Sequence, residues 1–357
     1  MLIQLAAMGV LAALLPLTMV WVSSDTDKYR KLVWVTLFLT FDLIMFGAFT
    51  RLTDSGLGCP DWPGCYGQSN PLQAHADISA AETALPTGPV TVMKAWIEMI
   101  HRYLAMGIGV LIISMVAIAW RRWLQSGRRE KKFSPLFPSL LLAFICVQGA
   151  FGAWTVTMKL QPAIVTIHLL LGMSLLALLT WFGAQLRDHP PVSQTASALR
   201  VPATLAAAAL AMQIALGGWV SSNYAALACT DFPLCHGALF PQMDFANGFT
   251  LWRDLGKTAQ GDYLLFPALT AIHWTHRVFA FAVVALVAWT SVRGLRVEGL
   301  GNTPRWLLIV VVLQFASGVS TVFLDLPLAL AVIHNGGAAL LVILVAMMNH
   351  KIRLARR

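Results

Sequence analysis

Nine long apolar segments constrain the fold of this chain more than any other sequence feature. They cover residues 1–22, 31–50, 94–120, 136–158, 162–186, 201–222, 267–290, 305–324 and 328–349. Each has about 20 residues or more, which lets an α-helix cross roughly 30 Å of hydrocarbon. Backbone groups in lipid find no water to bond to, so a spanning segment must be helical. The sequence therefore predicts an all-α integral membrane protein.

The charged residues, 11% of the chain, fall in short clusters between the apolar segments. This distribution excludes a soluble globular protein, and the net charge of +9 does not indicate nucleic-acid binding because the basic residues form no stripe with interleaved aromatics. Basic clusters occupy alternate connections, at 28–31, 121–132, 187–200 and 293–296, and the tail at 351–357. The positive-inside rule makes these cytoplasmic, in a multi-pass inner-membrane protein with a cytoplasmic carboxyl terminus. The long loops 51–93 and 223–266 are then periplasmic.

The first apolar segment, 1–22, has two interpretations. A cleavable signal peptide would begin with basic residues and end in small ones, but this segment has no basic start and ends in Trp21-Val22-Ser23-Ser24. We therefore interpret it as an extra transmembrane helix.

The remaining eight segments form an internal repeat. Cys59-Pro-Asp-Trp-Pro-Gly-Cys65 matches Cys229-Thr-Asp-Phe-Pro-Leu-Cys235, His101-Arg102 matches His276-Arg277, Gln148-x-x-x-Gly152-x-x-Thr155 matches Gln314-x-x-x-Gly318-x-x-Thr321, and Ile167-His168 matches Ile333-His334. The offsets of these four matches are 170, 175, 166 and 166 residues. The repeat predicts two pseudo-symmetric four-helix bundles in tandem, at 31–190 and 191–357, after the extra helix and its loop at 1–30.

Four of the five cysteines lie in the two outer loops. Because these loops face an oxidising compartment, each C-x5-C pair is able to close a disulfide, Cys59–Cys65 in the first loop and Cys229–Cys235 in the second. Cys146 lies within an apolar segment, where we expect a small buried apolar residue.

Histidines recur at one depth of the predicted bundles. His101 and His168 lie roughly 10 Å below the outer boundary, and His276 and His334 share that depth. Two imidazoles at one level on different helices suit axial ligation of a haem iron, whereas zinc would require further ligands.

An arginine directly follows one proposed ligand in each half. Arg102 follows His101, and Arg277 follows His276. Either arginine is placed to pair with a haem propionate or to extend towards lipid headgroups.

The two halves differ at one informative position. Glu98 precedes His101 by three residues, while His273 precedes His276 by three. An i,i+3 pair shares a helix face, so Glu98 would lie beside the first haem as a proton acceptor or electrostatic stabiliser. The alternative is an ion pair at the boundary with Arg51 or Lys94.

Together these motifs resemble the haem A synthase family over about residues 31–349. The resemblance rests on Thr50-Arg51-Leu52-Thr53-x-Ser55-Gly56-Leu57, Glu98-x-x-His101-Arg102, Gln148-Gly149-x-x-Gly152-x-x-Thr155-Val156, Ile167-His168-Leu169 and His276-Arg277. It implies an oxidoreductase that converts the C8 methyl of haem O to a formyl group by two successive hydroxylations. The extra segment 1–22 departs from the family's usual eight spans.

The resemblance also implies roles for individual residues. His101 and His168 would hold the substrate haem O or its product haem A, His276 and His334 would hold haem b, and Glu98 would be catalytic. Arg51, Arg102, Arg277 and His273 are candidates for contacts to the propionates or around the ligands. Haem O synthase, a farnesyltransferase, would supply the substrate, and cytochrome oxidase assembly would receive the product, in a protein that contacts lipid and is a candidate homo-oligomer.

Two other functions fit the same histidines. A dihaem cytochrome b would only pass electrons, and a haem carrier would hand haem O onward without forming a formyl product. Glu98, which has no carboxylate counterpart in the second half, favours the enzyme over both.

Overall fold

The computed structural model describes residues 1–355, and Arg356 and Arg357 of the basic tail lie outside the described residues. The described chain is helical. Its helices are α1 Leu2–Val22, α2 Lys28–Leu52, α3 His75–Ala84, α4 Val92–Gln125, α5 Leu136–Thr157, α6 Pro162–Gln185, α7 Arg200–Ser222, α8 Phe245–Gly248, α9 Phe266–Gly294, α10 Thr303–Phe323 and α11 Leu328–Leu354.

Within residues 1–355, nine helices are long and apolar enough to cross a membrane: α1, α2, α4, α5, α6, α7, α9, α10 and α11. Each begins and ends within five residues of a predicted segment. The prediction of an all-helical, multi-pass membrane protein is confirmed. The two short helices, α3 and α8, were not predicted, because they lie in the polar outer loops where no long apolar segment marks them.

The described chain forms two compact units. The first contains Met1–Met158 and Ser174–Arg187, and the second contains Lys159–Met173 and the chain from Asp188 onward. Helix α6 therefore contributes its first part to the second unit and its last part to the first. The sequence-based boundary between residues 190 and 191 stays a prediction.

Aromatic contacts hold the last part of α6 in the first unit. Tyr29 of α2 packs edge-on against Phe182, with ring centroids 6.1 Å apart, and Phe137 of α5 stacks on Phe182 at 4.8 Å. Cys146, on the same helix as Phe137, is exposed. The expectation of a buried cysteine was wrong, because α5 buries little of its surface against the rest of the described chain.

Helix α1 packs closely against α4 through small residues. A Cβ added at Gly9 would lie 2.9 Å from Cβ of Met106, and one added at Gly107 would lie 3.1 Å from Cβ of Ala12. Small residues let two helix backbones approach in a membrane, where contact packing replaces the hydrophobic effect. Near the start of α1, Leu5 is buried in a cluster that includes the cysteines of the first outer loop.

The second unit packs α7 against α9 and α11, and α10 against α9 and α11. A small core at one end joins Leu199, Leu300 and Met348. Beside it, Lys351 Nζ donates hydrogen bonds to the Leu300 carbonyl and the Thr303 hydroxyl, both at 2.9 Å. The first part of α6 joins this unit through Thr166 and Leu169, which approach Gly218 of α7.

Unusual backbone conformations occur at matching positions of the two halves. Eight of the nine left-handed residues other than glycine in the described chain form pairs separated by 170 or 166 positions, with Arg128 as the exception: Asp54 and Tyr224, Tyr66 and His236, Lys159 and Asp325, and Leu160 and Leu326. Non-glycine residues adopt this conformation only where the surrounding structure requires it. The same turns therefore follow the same helices in both halves.

The contact between α1 and α4 gives the first testable prediction. Gly107→Leu forces a side chain into the α1 backbone, and we expect a loss of about 1–3 kcal/mol of stability through overpacking. The measurement is the midpoint of thermal unfolding in detergent. Gly109→Leu is the matched control, because a Cβ at Gly109 meets no atom within 4 Å. Equal unfolding midpoints for the two variants would contradict the close packing of α1.

Candidate functional site

The first outer loop contains a disulfide braced by an aspartate. Cys59 and Cys65 are bonded, as predicted. Between them, the Asp61 carboxylate accepts the backbone N–H groups of Tyr66 and Gly67, each at 2.7 Å. This loop is thus closed twice, once covalently and once by charge-assisted hydrogen bonds.

The second outer loop has the same construction. Cys229 and Cys235 form the second predicted disulfide. Asp231 accepts the backbone N–H groups of His236 at 2.7 Å and Gly237 at 2.9 Å. The Gly237 N–H contributes most to holding the pKa of the Asp231 carboxyl below its ordinary value, since bonds to the charged form favour it.

Glu98 lies buried directly beneath the first loop, with 4% of its surface exposed. One carboxylate oxygen, Oε2, accepts the backbone N–H of Cys59 at 2.8 Å. The other, Oε1, accepts from Nη2 of Arg102 at 2.5 Å. Glu98 therefore forms its ion pair with Arg102, which lies four residues further along the same helix, α4.

His273 occupies the corresponding place beneath the second loop. It is 4% exposed, and its Nδ1 accepts the backbone N–H of Cys229 at 3.2 Å. Arg277 Nη2 donates to the carbonyl oxygens of Asp231 at 2.7 Å and Leu234 at 3.0 Å. In both loops the first cysteine donates its N–H to the residue three positions before a predicted ligand.

Three of the four predicted ligand histidines face a glycine on a neighbouring helix. An added Cβ would lie 3.0 Å from His101 Nε2 at Gly47, 3.1 Å from His276 Cε1 at Gly217 and 3.0 Å from His334 Cε1 at Gly318. Any larger residue would press on the imidazole. The absence of a side chain at these glycines lets each ring pack against the neighbouring helix.

In the second unit, polar side chains surround both imidazoles. Gln213 Nε2 lies 3.1 Å from His276 Nδ1. Ser317 donates its hydroxyl to the Gln314 carbonyl at 2.8 Å, and its Oγ lies 2.8 Å from His334 Nδ1. A hydroxyl that already donates accepts from Nδ1–H, so Nε2 of His334 carries the lone pair, and the Gln314 side-chain Nε2 lies 3.3 Å from it.

Sequence reasoning did not identify Gln213 and Ser317 as site residues. An intramembrane glutamine is costly without a partner, so Gln213 carried a usable signal. Ser317 carried none, because a serine in an apolar helix commonly bonds to its own backbone.

The remaining predicted site residues are placed as follows. His101 is half-buried, and the Phe46 ring stacks on it with centroids 6.3 Å apart. His168 is half-buried on α6, within the part of that helix that belongs to the second unit. Arg51 Nη1 donates to Asp54 at 3.1 Å, near the end of α2.

Comparison with known proteins identifies the family. Residues 30–346 match the family described as cytochrome oxidase assembly protein. A protein of Shewanella oneidensis named heme A synthase is 40% identical over 327 residues, which cover 90% of this chain and 96% of that protein. The chain belongs to the haem A synthase family.

More distant relatives of the same name extend the match. The heme A synthase of Erythrobacter litoralis is 31% identical over 351 residues, covering 91% of this chain and 97% of that protein. That of Sinorhizobium medicae is 30% identical over 338 residues, covering 88% of each. The match to the family as a whole begins at residue 30, so α1 lies outside it.

The Asp231 brace generates a pH-dependent prediction. Folding lowers the pKa of this carboxyl group from its unfolded value near 4. The charged group therefore stabilises the fold fully at a pH above that unfolded pKa, and the stabilisation is lost as the pH falls through the lower folded pKa. Asp231→Asn should therefore lower the thermal midpoint at pH 7 and have a smaller effect below pH 4. Asp254→Asn, an exposed position in the same loop, is the control. An effect of Asp231→Asn that is independent of pH would contradict the role of the charge.

Proposed function

We propose that this chain oxidises the C8 methyl of haem O to a formyl group, giving haem A. Family membership supports this reaction. The structural observation that supports it most is the buried Glu98 carboxylate, which accepts hydrogen bonds at both oxygens; the second unit has His273 at the corresponding position. Two successive hydroxylations, each taking its oxygen from water and releasing two electrons and two protons, would give a geminal diol that loses water, and the electrons would pass to an external electron acceptor. This reaction makes the protein an oxidoreductase.

The proposal includes two tandem four-helix bundles, at 31–190 and 191–357, preceded by the extra helix. The matching left-handed turns, the two braced disulfide loops and the matching contacts of Glu98 and His273 support an internal repeat. The close packing of α1 on α4 supports a retained helix rather than a cleaved leader.

The second bundle would hold haem b through His276 and His334. Its residues fit a bound porphyrin: both imidazoles face glycines and have polar partners that orient them. Among described atoms, Arg277 Nη1 is buried without a hydrogen-bond partner, and a propionate would satisfy it. Bound there, haem b supplies one-electron transfer that carries electrons away from the reaction.

The first bundle would hold haem O or haem A through His101 and His168. This pairing rests on the sequence repeat alone. The counterparts of Gln213 and Ser317 in the first half, at the same offsets, are Leu43 and Phe151. Gln148 keeps the place of Gln314, so the two halves surround their histidines with partly different side chains. An exchangeable haem is what a substrate site requires, because the product must leave.

Glu98 would act on the reacting methyl. Oxidation removes electrons and protons from this carbon, so positive charge develops near it. A carboxylate stabilises that charge or accepts a proton, and either effect is amplified where water is scarce. The backbone N–H of Cys59 and the Arg102 guanidinium hold the carboxylate so that no reorganisation is needed during the reaction.

The cellular setting follows from the same proposal. The cysteine loops would face the periplasm and the carboxyl terminus the cytoplasm, because the basic clusters lie on the opposite side from these loops. Haem O synthase would supply the substrate, and cytochrome oxidase assembly would take the product.

Analysis of the haems extracted from the purified protein tests the reaction. Haem O or haem A beside protohaem is the expected result. Protohaem alone would identify an electron-transferring dihaem cytochrome b, and exchangeable haem O with no formyl product in living cells would identify a carrier.

The two haem sites should respond differently to loss of a ligand. Replacing His276 or His334 with alanine should remove haem b, whereas replacing His101 or His168 should spare haem b and abolish haem A. Pyridine haemochrome spectra of the four variants measure both. Equal loss of both haems in every variant would count against the assignment by halves.

Glu98→Gln should assemble both haems yet accumulate haem O or a hydroxylated intermediate. Glutamine keeps the size and one acceptor but removes the charge and basicity, a change that typically costs about 10²–10⁴-fold in rate. The readout is chromatography of extracted haems. Glu82→Gln, in α3 of the same outer loop, is the matched control, and His273→Gln should lower the yield far less. Normal haem A from Glu98→Gln would refute the catalytic role.

A further inference from the structure

Arg102 donates four hydrogen bonds to groups of the protein itself. Its Nη1 donates to three backbone carbonyls of the first loop: Asp61 at 3.0 Å, Pro63 at 3.3 Å and Gly64 at 2.6 Å. Its Nη2 donates to Glu98 Oε1 at 2.5 Å. One guanidinium therefore joins the disulfide loop to the buried carboxylate.

The burial of this pair makes its geometry consequential. The Arg102 side chain is 10% exposed and the Glu98 side chain 5%. An ion pair at the surface, where water solvates both groups, exchanges partners freely. A buried charge that loses its partner strongly destabilises the folded protein. Glu98 is thus held at both oxygens, by Arg102 on one side and by the Cys59 N–H on the other.

The loop itself cannot shift easily against α4. Gly58, just before Cys59, lies so close to α4 that an added Cβ would overlap the backbone at Lys94 and Ala95. The Tyr103 hydroxyl donates to the Ser69 carbonyl at 2.7 Å and ties α4 to the chain just beyond the loop. The carbonyls that Arg102 binds are therefore fixed in place.

The second unit contains the same loop-binding arginine without a carboxylate. Arg277 binds two carbonyls of its loop through Nη2, and its Nη1 is buried without a hydrogen-bond partner among the described atoms. The residue in the position of Glu98 there is His273. Binding the loop is thus common to both arginines, and fixing an acid is the added task of Arg102.

We propose that Arg102 is a positioning residue for the reaction: it transmits the fixed geometry of the Cys59–Cys65 loop to the Glu98 carboxylate. The inference rests on the proposed role of Glu98 and assigns Arg102 a task distinct from binding a propionate. Arginine suits this task because its planar fork presents separate N–H groups to the carbonyls and to the acid, which a lysine ammonium cannot do.

The proposal predicts a particular pattern of accumulated haems. Arg102→Gln should retain haem b and bind haem O, yet form haem A about 10–100-fold more slowly, because a misplaced catalytic group loses rate rather than binding. Arg102→Lys should fall between wild type and Arg102→Gln. Lys94→Gln, a cation four residues before Glu98 whose Nζ bonds to the Gly88 carbonyl, is the matched control and should convert haem O normally.

A double-mutant cycle separates positioning from general structural damage. If Arg102 acts through Glu98, the double variant Glu98→Gln, Arg102→Gln should be no slower than Glu98→Gln alone. Losses that multiply would overturn the proposal, as would Arg102→Gln that loses bound haem O while converting the remainder at the normal rate. If Arg102→Gln yields no folded protein, the same cycle is run with Arg102→Lys.

The same cycle distinguishes failure of this inference from failure of the proposed function. Normal conversion by Glu98→Gln would remove the catalytic role of the carboxylate and with it the reason for positioning it. A block in Glu98→Gln combined with normal conversion in Arg102→Gln would overturn only the role of Arg102.

Discussion

Buried polar groups in a membrane-spanning helix need hydrogen-bond partners from the protein itself, and the structure depends on meeting this need. Glu98 on α4 and His273 on α9 meet this need in the same way, each by accepting the N–H of the first loop cysteine. Both side chains are buried, so the bond is shielded from solvent and its loss is costly. The outer loops are consequently drawn onto the ends of the helices that carry the predicted ligands.

A loop that serves as a hydrogen-bond donor must itself be rigid. The disulfides, the Asp61 and Asp231 braces and the arginines below them give each loop one conformation. In the first unit the buried side chain of Leu5 from α1 packs in the same cluster as the cysteines. Helix α1 therefore stabilises the loop that binds Glu98. This contact gives α1 a structural role, although the family match begins only at residue 30.

The surroundings of the histidines divide the proposed tasks. His276 and His334 have amide and hydroxyl partners that orient their rings, as suits a cofactor that stays bound. In the first half Leu43 and Phe151 take the places of Gln213 and Ser317, while Gln148 keeps the place of Gln314, so the side chains around the proposed substrate haem differ from those around haem b.

The sequence by itself determined the nine helices, the two disulfides and the identity of the family, because membrane partition depends on local composition and motifs depend on order along the chain. It did not identify the partner of Glu98, the contacts of Gln213 and Ser317 or the division of α6, and its expectation of a buried Cys146 was wrong. These depend on which groups meet when helices pack. Helical spacing alone places Arg102 beside Glu98, because residues four apart share a helix face, but only the tertiary structure brought the loop carbonyls and the Cys59 N–H to this pair.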